Sequence, residues 1–263
     1  MNNKPIGIFD SGVGGLTVLK EVEELLPYED IIYLGDTARV PYGNKSKFTV
    51  IKFSTESILF LLQKKVKMVV IACNTASSLA LSRLVDIFNI PILGVIEAGV
   101  RKALLKTERK IGVIGTNATI KSRSYEMEIA KLDKKSKVYS QSCPFFVPLV
   151  EEGILKGRIV EEALDMYLKD FKNKKIDTLI LGCTHYPLLK EQIALYLKGT
   201  DIIDSAKETA LHVQSTLKAN NLFNKKRAPG EKYFYVTDEP CQFAKLAKLF
   251  LKKDIKEPTV INV

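Results

Sequence analysis

The sequence is poor in the features that staple or anchor a chain. Only four cysteines occur in 263 residues, Cys73, Cys143, Cys183 and Cys241. No two of them stand as C-x-x-C, which argues against a zinc ribbon and against a disulfide framework of the secreted type, and no metal site is expected. No apolar run approaches the roughly 18 residues of a membrane span, and the first apolar stretch is too short for a signal-peptide core. The chain is therefore expected in the cytoplasm, with no membrane partner. The glycines at 12, 14 and 15 do not form G-x-G-x-x-G, and no Gly-Lys-Ser/Thr follows them. A dinucleotide fingerprint and a P-loop are thus both missing.

What is present is ordinary globular composition, 46% hydrophobic and 27% charged. Such a chain can form one large domain or two modest ones. Forty Lys and Arg against 30 Asp and Glu leave a net charge of +10. The basic residues are scattered in pairs such as Lys64-Lys65, Lys174-Lys175 and Lys225-Lys226, in loops and at helix ends where lysine suits the dipole. No aromatic and basic residues interleave into a strand-binding platform, so no nucleic acid is expected as a partner.

Short apolar runs at 6–9, 31–34, 68–72, 92–95, 111–114, 178–181, 201–203 and 233–236 alternate with amphipathic stretches at 16–26, 47–64, 78–88, 121–131, 159–172, 188–198 and 207–220. Near-continuous apolar runs separated by helices read as parallel strands covered on both faces, an α/β doubly wound architecture. An internal repeat is also visible. Ile6-Gly7-Ile8-Phe9-Asp10-Ser11-Gly12 matches Ile111-Gly112-Val113-Ile114-Gly115-Thr116-Asn117, Val40-Pro41 matches Val147-Pro148, and the segment ending Ala72-Cys73-Asn74-Thr75 matches that ending Gly182-Cys183-Thr184-His185. Three matches in one order at nearly one offset predict two similar α/β units with mostly parallel sheets. Residues 1–96 together with 207–263 would form the first domain and 97–206 the second.

In such folds ligands gather at the carboxyl ends of strands. Cys73 and Cys183 each end an apolar run and each precede polar residues suited to capping a helix. A helix N-terminus stabilises a thiolate, so both thiols are candidates for acid–base work rather than packing. His185 lies two residues after Cys183, and on an extended segment the two side chains would share a side. Asp10 follows the first strand; its carboxylate would repel a phosphate and serves better as a partner of an ammonium or a thiol. Glu151-Glu152 close an apolar run, and either one could face a pocket. Cys143, Cys241 and His212 lack the strand-end context and read as structural or surface residues.

Together Phe9-Asp10-Ser11-Gly12-Val13-Gly14-Gly15, Asp36 with Pro41-Tyr42-Gly43, Ala72-Cys73-Asn74-Thr75-Ala76, Phe146-Val147-Pro148-Leu149-Val150-Glu151 and Leu181-Gly182-Cys183-Thr184-His185-Tyr186-Pro187-Leu188 resemble the glutamate racemase family, from residue 6 to about 205. The resemblance implies a cofactor-independent enzyme that interconverts L- and D-glutamate, the D form supplying peptidoglycan synthesis. It implies two pseudo-two-fold-related domains with the active site between them, and a homodimer. Cys73 and Cys183 would be the two proton-transferring thiols, Cys73 acting on the D and Cys183 on the L enantiomer. Asp10, His185 and Glu151 would assist them. Substrate would be held by Asp10, Ser11, Pro41, Tyr42, Gly43, Asn74, Thr75, Thr184 and His185. Some members carry an N-terminal extension tied to activation by a cell-wall precursor; this chain starts almost at its first strand, so that regulation is not expected. The alternatives are a racemase of another acidic amino acid such as aspartate, a thiol oxidoreductase using the same two cysteines, and a phosphate-binding module on the glycine-rich turn.

Overall fold

The computed structural model describes residues 3–225 and 228–263; Lys226 of the lysine pair noted above lies outside the described residues. The first unit runs β1 (Ile6–Asp10), α1 (Leu16–Leu25), β2 (Ile31–Gly35), α2 (Lys47–Gln63), β3 (Met68–Ile71), α3 (Asn74–Leu79), α4 (Leu81–Ile87) and β4 (Ile92–Gly94). The second runs α5 (Ile96–Leu104), β5 (Lys110–Gly115), α6 (Asn117–Ser122), α7 (Ser124–Leu132), β6 (Lys137–Ser142), α8 (Phe146–Glu151), α9 (Arg158–Lys174), β7 (Thr178–Gly182), α10 (Lys190–Tyr196) and β8 (Asp201–Asp204). The chain then returns through α11 (Ala206–Ala219), β9 (Lys232–Val236), α12 (Pro240–Leu251) and β10 (Thr259–Val260).

All strand pairings are parallel, in a six-stranded sheet ordered β10-β9-β2-β1-β3-β4 and a four-stranded sheet ordered β6-β5-β7-β8. The order β2-β1-β3-β4 recurs as β6-β5-β7-β8, so the sequence repeat is a repeat of topology. Register makes the correspondence residue by residue. Ile6 pairs with Ile31 and Met68, as Ile111 pairs with Val138 and Thr178. Counting forward, Cys73 and Cys183 occupy equivalent positions, each five residues on from the equivalent Met68 and Thr178. The returning strand β9 pairs with β2, and α12 after it packs on α1.

Alternation along each strand sorts the core. Ile6, Ile8, Tyr33, Met68 and Val70 face one way, with α1 and α12, while Phe9, Ile32, Leu34, Val69 and Ile71 face α2 and α4. In the second sheet Ile111, Val113 and Ile180 face α5 and α7, whereas Ile114, Leu179 and Leu181 face α9. Each buried Leu, Ile or Val side chain contributes about 1.5–3 kcal/mol. The cluster holding α1 and α12 continues into the second unit through Phe146, Cys183 and Tyr186, so one core runs through both sheets.

Three elements differ from the sequence expectation. β6 has no apolar run, because its residues Lys137–Ser142 form an edge strand whose side chains are partly exposed. Residues 145–150, read as an apolar run, form α8, where Pro148 sits in the first turn and loses no intrahelical donor. The stretch 78–88 is broken at Ala80 (φ −115°, ψ −27°) into the end of α3 and all of α4. Among the described residues no helix is long and apolar enough to cross a membrane.

Candidate active site

Every β-to-α turn that carries a motif residue opens at the carboxyl end of its sheet, and the turns of both sheets face one cavity of about 230 Å³. Ser11, Gly12, Cys73, Asn74 and Thr75 line it from the first unit together with the 40–44 loop. Thr116, Asn117, Pro144, Val147, Pro148, Glu151, Cys183, Thr184 and His185 line it from the second. This is smaller than the roughly 300–1,000 Å³ of pockets for drug-sized ligands, and it suits a molecule of amino-acid size. No lysine or arginine is among the lining residues.

Cys73 sits at the N-cap of α3 in extended conformation (φ −62°, ψ 119°) and is 5% exposed. Its Sγ lies 3.5 Å from Ser11 Oγ. The capping context led to the expectation of a stabilised thiolate. The opposite holds: burial and the nearby Asp10 carboxylate push the Cys73 thiol up to about 12, outweighing the Ser11 hydroxyl and the Ala76 amide. The polar residues after Cys73 do not cap α3 with a side chain; Ser77 Oγ instead donates to Ile71 O at 2.8 Å.

Asp10, expected among the substrate ligands, lies behind the cavity wall and is fully buried. Gly12 N–H donates to its Oδ1 at 2.9 Å, while Oδ2 has no hydrogen-bond partner among the described residues. Burial raises the carboxyl above the ordinary range, and His185 with the amides of Gly12 and Gly15 pulls the other way. The glycine-rich turn is therefore occupied with its own carboxylate. Its glycines serve close approach: a Cβ on Gly14 would stand 2.2 Å from Thr184 Oγ1 and 2.6 Å from His185 Nδ1, across the cleft between the units. A phosphate cradle finds no room there.

Cys183 is 6% exposed and is followed by a turn and a short 3-10 helix (Tyr186–Leu189) rather than an extended segment. The turn, with His185 at φ −81° and ψ −32°, brings His185 Nδ1 within 3.9 Å of Cys183 Sγ. So the two side chains do meet, by a local geometry other than the one inferred from spacing. His185 Nε2 faces Glu151 Oε1 at 3.1 Å. Burial disfavours the imidazolium, but its bonds to Cys183 and Glu151 outweigh that and push it up to about 10. Glu152 points from the other side of α8 into a surface groove, so of the two neighbours Glu151 is the one in the cavity wall.

The remaining expected ligands present amides and hydroxyls. Val40-Pro41 is a cis peptide, and the loop after it is pinned by the buried Asp36, which accepts from the Tyr42 hydroxyl, from Arg39 and from Thr237. Because the Tyr42 hydroxyl is engaged with Asp36, Tyr42 and Gly43 can offer the cavity their backbone. Tyr125 donates to Asn74 Oδ1 at 2.6 Å, which leaves the amide nitrogen of Asn74 as its donor. Thr75 Oγ1 meets Thr116 Oγ1 at 2.9 Å and Thr119 Oγ1 at 3.3 Å, a hydroxyl cluster that joins the two units.

Sequence reasoning passed over Thr116, Asn117, Val147, Pro148, Asn44 and Pro144. The repeat carries a signal for several of them: Thr116-Asn117 matches Ser11-Gly12, and Val147-Pro148 matches Val40-Pro41. All four cysteines are free; Cys143 is buried and Cys241 exposed. Among the described residues no group of three or more His, Cys, Asp or Glu side chains is placed to hold a metal ion.

The sequence matches the Asp/Glu/hydantoin racemase family over residues 6–213. It is 49% identical over 258 residues to the glutamate racemase of Aquifex aeolicus, spanning 98% of this chain and 97% of that protein. The crystal structure of the glutamate racemase of Francisella tularensis in complex with D-glutamate matches with a TM-score of 0.94 and 42% identity, over 100% of this chain and 98% of that one. A glutamate racemase isoform of Bacillus anthracis matches with a TM-score of 0.96 and 38% identity, over 100% and 99% of the two chains.

Proposed function

The chain belongs to the Asp/Glu/hydantoin racemase family, and from that premise we propose that it interconverts L- and D-glutamate by passing the α-proton between two thiols, Cys73 and Cys183. The observation that carries this reading is that two cysteines at register-equivalent strand ends, one from each sheet, line the same small cavity. Racemisation removes a proton from one face of the α-carbon and returns one to the other. Two groups on opposite faces do this without the substrate turning over. One must begin each turnover as base and the other as acid, and the roles exchange with the direction of reaction.

The surroundings of the thiols suit those roles. Cys73, held protonated by burial and by Asp10, is ready to donate. The Asp10 carboxyl, with one unpartnered oxygen, can take up that proton when Cys73 has to act as base. On the other side His185 can hold the proton exchanged with Cys183, steadied by Glu151. General acid–base catalysis of this kind contributes about 10²–10⁴-fold. The α-proton is weakly acidic, so the carbanion charge needs preorganised donors. Amides and hydroxyls at Ser11, Gly43, Asn74, Thr75, Thr184 and His185 supply them and also hold the substrate carboxylates. Such donors are worth about 3–4 kcal/mol each when removed singly. With no lysine in the described lining, an internal Schiff base has no candidate there, and the proposed two-thiol reaction calls for no cofactor. The D-glutamate formed would serve peptidoglycan synthesis in the cytoplasm, the enzyme working as a homodimer.

The test is chiral chromatography of the purified chain with D-glutamate and no added cofactor, repeated with L-aspartate. We expect an equimolar mixture of the glutamate enantiomers, because enantiomers have equal free energy, and a kcat/KM for glutamate at least about tenfold above that for the acid one methylene shorter. A preference for aspartate would overturn the substrate assignment. Run in deuterium oxide, L-glutamate should give D-product labelled at Cα; unlabelled product would mean a single base.

A further inference from the structure

The returning segment reaches the site from behind. β9 pairs with β2 of the first sheet, and α12 then packs on α1. Near its start Phe243 packs on Tyr33, ring centroids 5.8 Å apart, and a Cβ on Gly35 would stand 3.1 Å from the Phe243 ring. Near its end Phe250, 5% exposed, meets the His185 ring edge-on, with centroids 5.7 Å apart and ring planes at 89°. One helix anchored to the first sheet thus touches the imidazole that belongs to the second.

We propose that Phe250 is a positioning residue that sets the tilt of the His185 imidazole between Cys183 and Glu151. The proposal rests on the reading of His185 as the proton partner of Cys183. The geometry leaves this task open to an apolar neighbour. Nδ1 faces Cys183 at 3.9 Å and Nε2 faces Glu151 at 3.1 Å, roughly opposite one another across the ring. Two partners on the ring edge resist tilt about the line joining them only through the angular preference of their hydrogen bonds, and the long contact to sulfur leaves residual freedom there. A perpendicular ring against the imidazole removes that freedom and excludes water from it. The titratable groups facing His185 are Cys183, Glu151 and Asp10. Of the lysines at the end of α12, Lys248 pairs with Asp254 and Lys253 with Glu23 on α1.

The experiment uses the full chain and its histidine content. Only His185 and His212 are present, so proton NMR resolves the imidazole signals of both. Three variants are compared with the wild type: Phe250→Leu, Phe250→Tyr and Phe243→Leu. Phe250→Leu removes the ring, Phe250→Tyr keeps it, and Phe243→Leu loosens the same helix without touching His185. In the wild type the His185 signal should titrate near 10. In Phe250→Leu the midpoint should move at least about one pH unit toward the ordinary value of 6.5, with kcat/KM down roughly tenfold to 10²-fold. Phe250→Tyr should restore both, and Phe243→Leu should leave the titration in place whatever it does to the melting temperature. An unmoved titration in Phe250→Leu, or an equal shift in Phe243→Leu, overturns the proposal. Because the titration is read on the free enzyme, this outcome is separable from a failure of the racemase reading itself.

Discussion

The two thiols hold equivalent places in a repeated topology, but their neighbourhoods are opposite in sign. Around Cys73 the first unit puts a buried carboxylate, Asp10, at the end of β1. The equivalent position in the second unit is Gly115, which has no side chain. Around Cys183 the second unit puts an imidazole backed by Glu151. Carried on from the β2 and β6 register, the position of Glu151 corresponds to Asn44 in the first unit, and both line the cavity. Each unit therefore keeps one carboxylate, drawn from a different turn. The repeat places two thiols equivalently, and the substitutions around it set a carboxylate beside one and an imidazole beside the other; in the proposed reaction the first would rest protonated and the second would face a proton carrier. That is the division of labour a two-base reaction needs in its resting state.

The comparison is broken most directly at sulfur. Cys73→Ala and Cys183→Ala should each lower kcat in both directions by about 10³-fold or more, with circular dichroism and melting unchanged. If either variant turned over near the wild-type rate, the equivalence of the two positions would be false.

A smaller effect sharpens it. Asp10→Asn and His185→Asn should each reduce kcat by roughly 10²-fold. The primary isotope effect should rise with the enantiomer deprotonated by the weakened thiol: one variant shows it with 2-deuterated D-glutamate and the other with the L form. Equal isotope behaviour in the two variants would mean that the neighbours do not divide between the thiols.

The smallest effect is on stability against pH. His185 is raised from 6.5 in the unfolded chain to about 10 in the fold. Its contribution is therefore fully present below about 6.5 and is lost as pH rises through 10. Melting temperature should fall across that window, and Glu151→Gln should move the fall to lower pH. Glu151 is partly exposed, with 39% of its side chain accessible, so solvent screening keeps this effect modest.

Much of the fold was legible because parallel strands buried on both faces read as continuous apolar runs, and β1, β3 and β7 are such strands. β6 was not legible, since an edge strand needs no apolar run on its exposed side. The thiols were legible from their place at strand ends. The ionisation of Cys73 was not: its capping context pointed to a thiolate, and burial beside Asp10 decided otherwise. Asp10 was read as a partner of an ammonium or of a thiol; it is fully buried and lies near Cys73, because a strand-end residue can point either into the cleft or back under its own turn.

By itself the sequence determined the α/β class, the parallel strands and which polar side chains stand at each strand end. These depend on alternation and turn composition, which act over a few residues. Only the tertiary structure decided which groups meet across the cleft: Gly14 against Thr184 and His185, Thr75 against Thr116, Phe250 against His185. Those contacts join segments far apart along the chain. Proton affinity depends on burial and on charges a few ångströms away, and both are properties of packing, which no local pattern encodes.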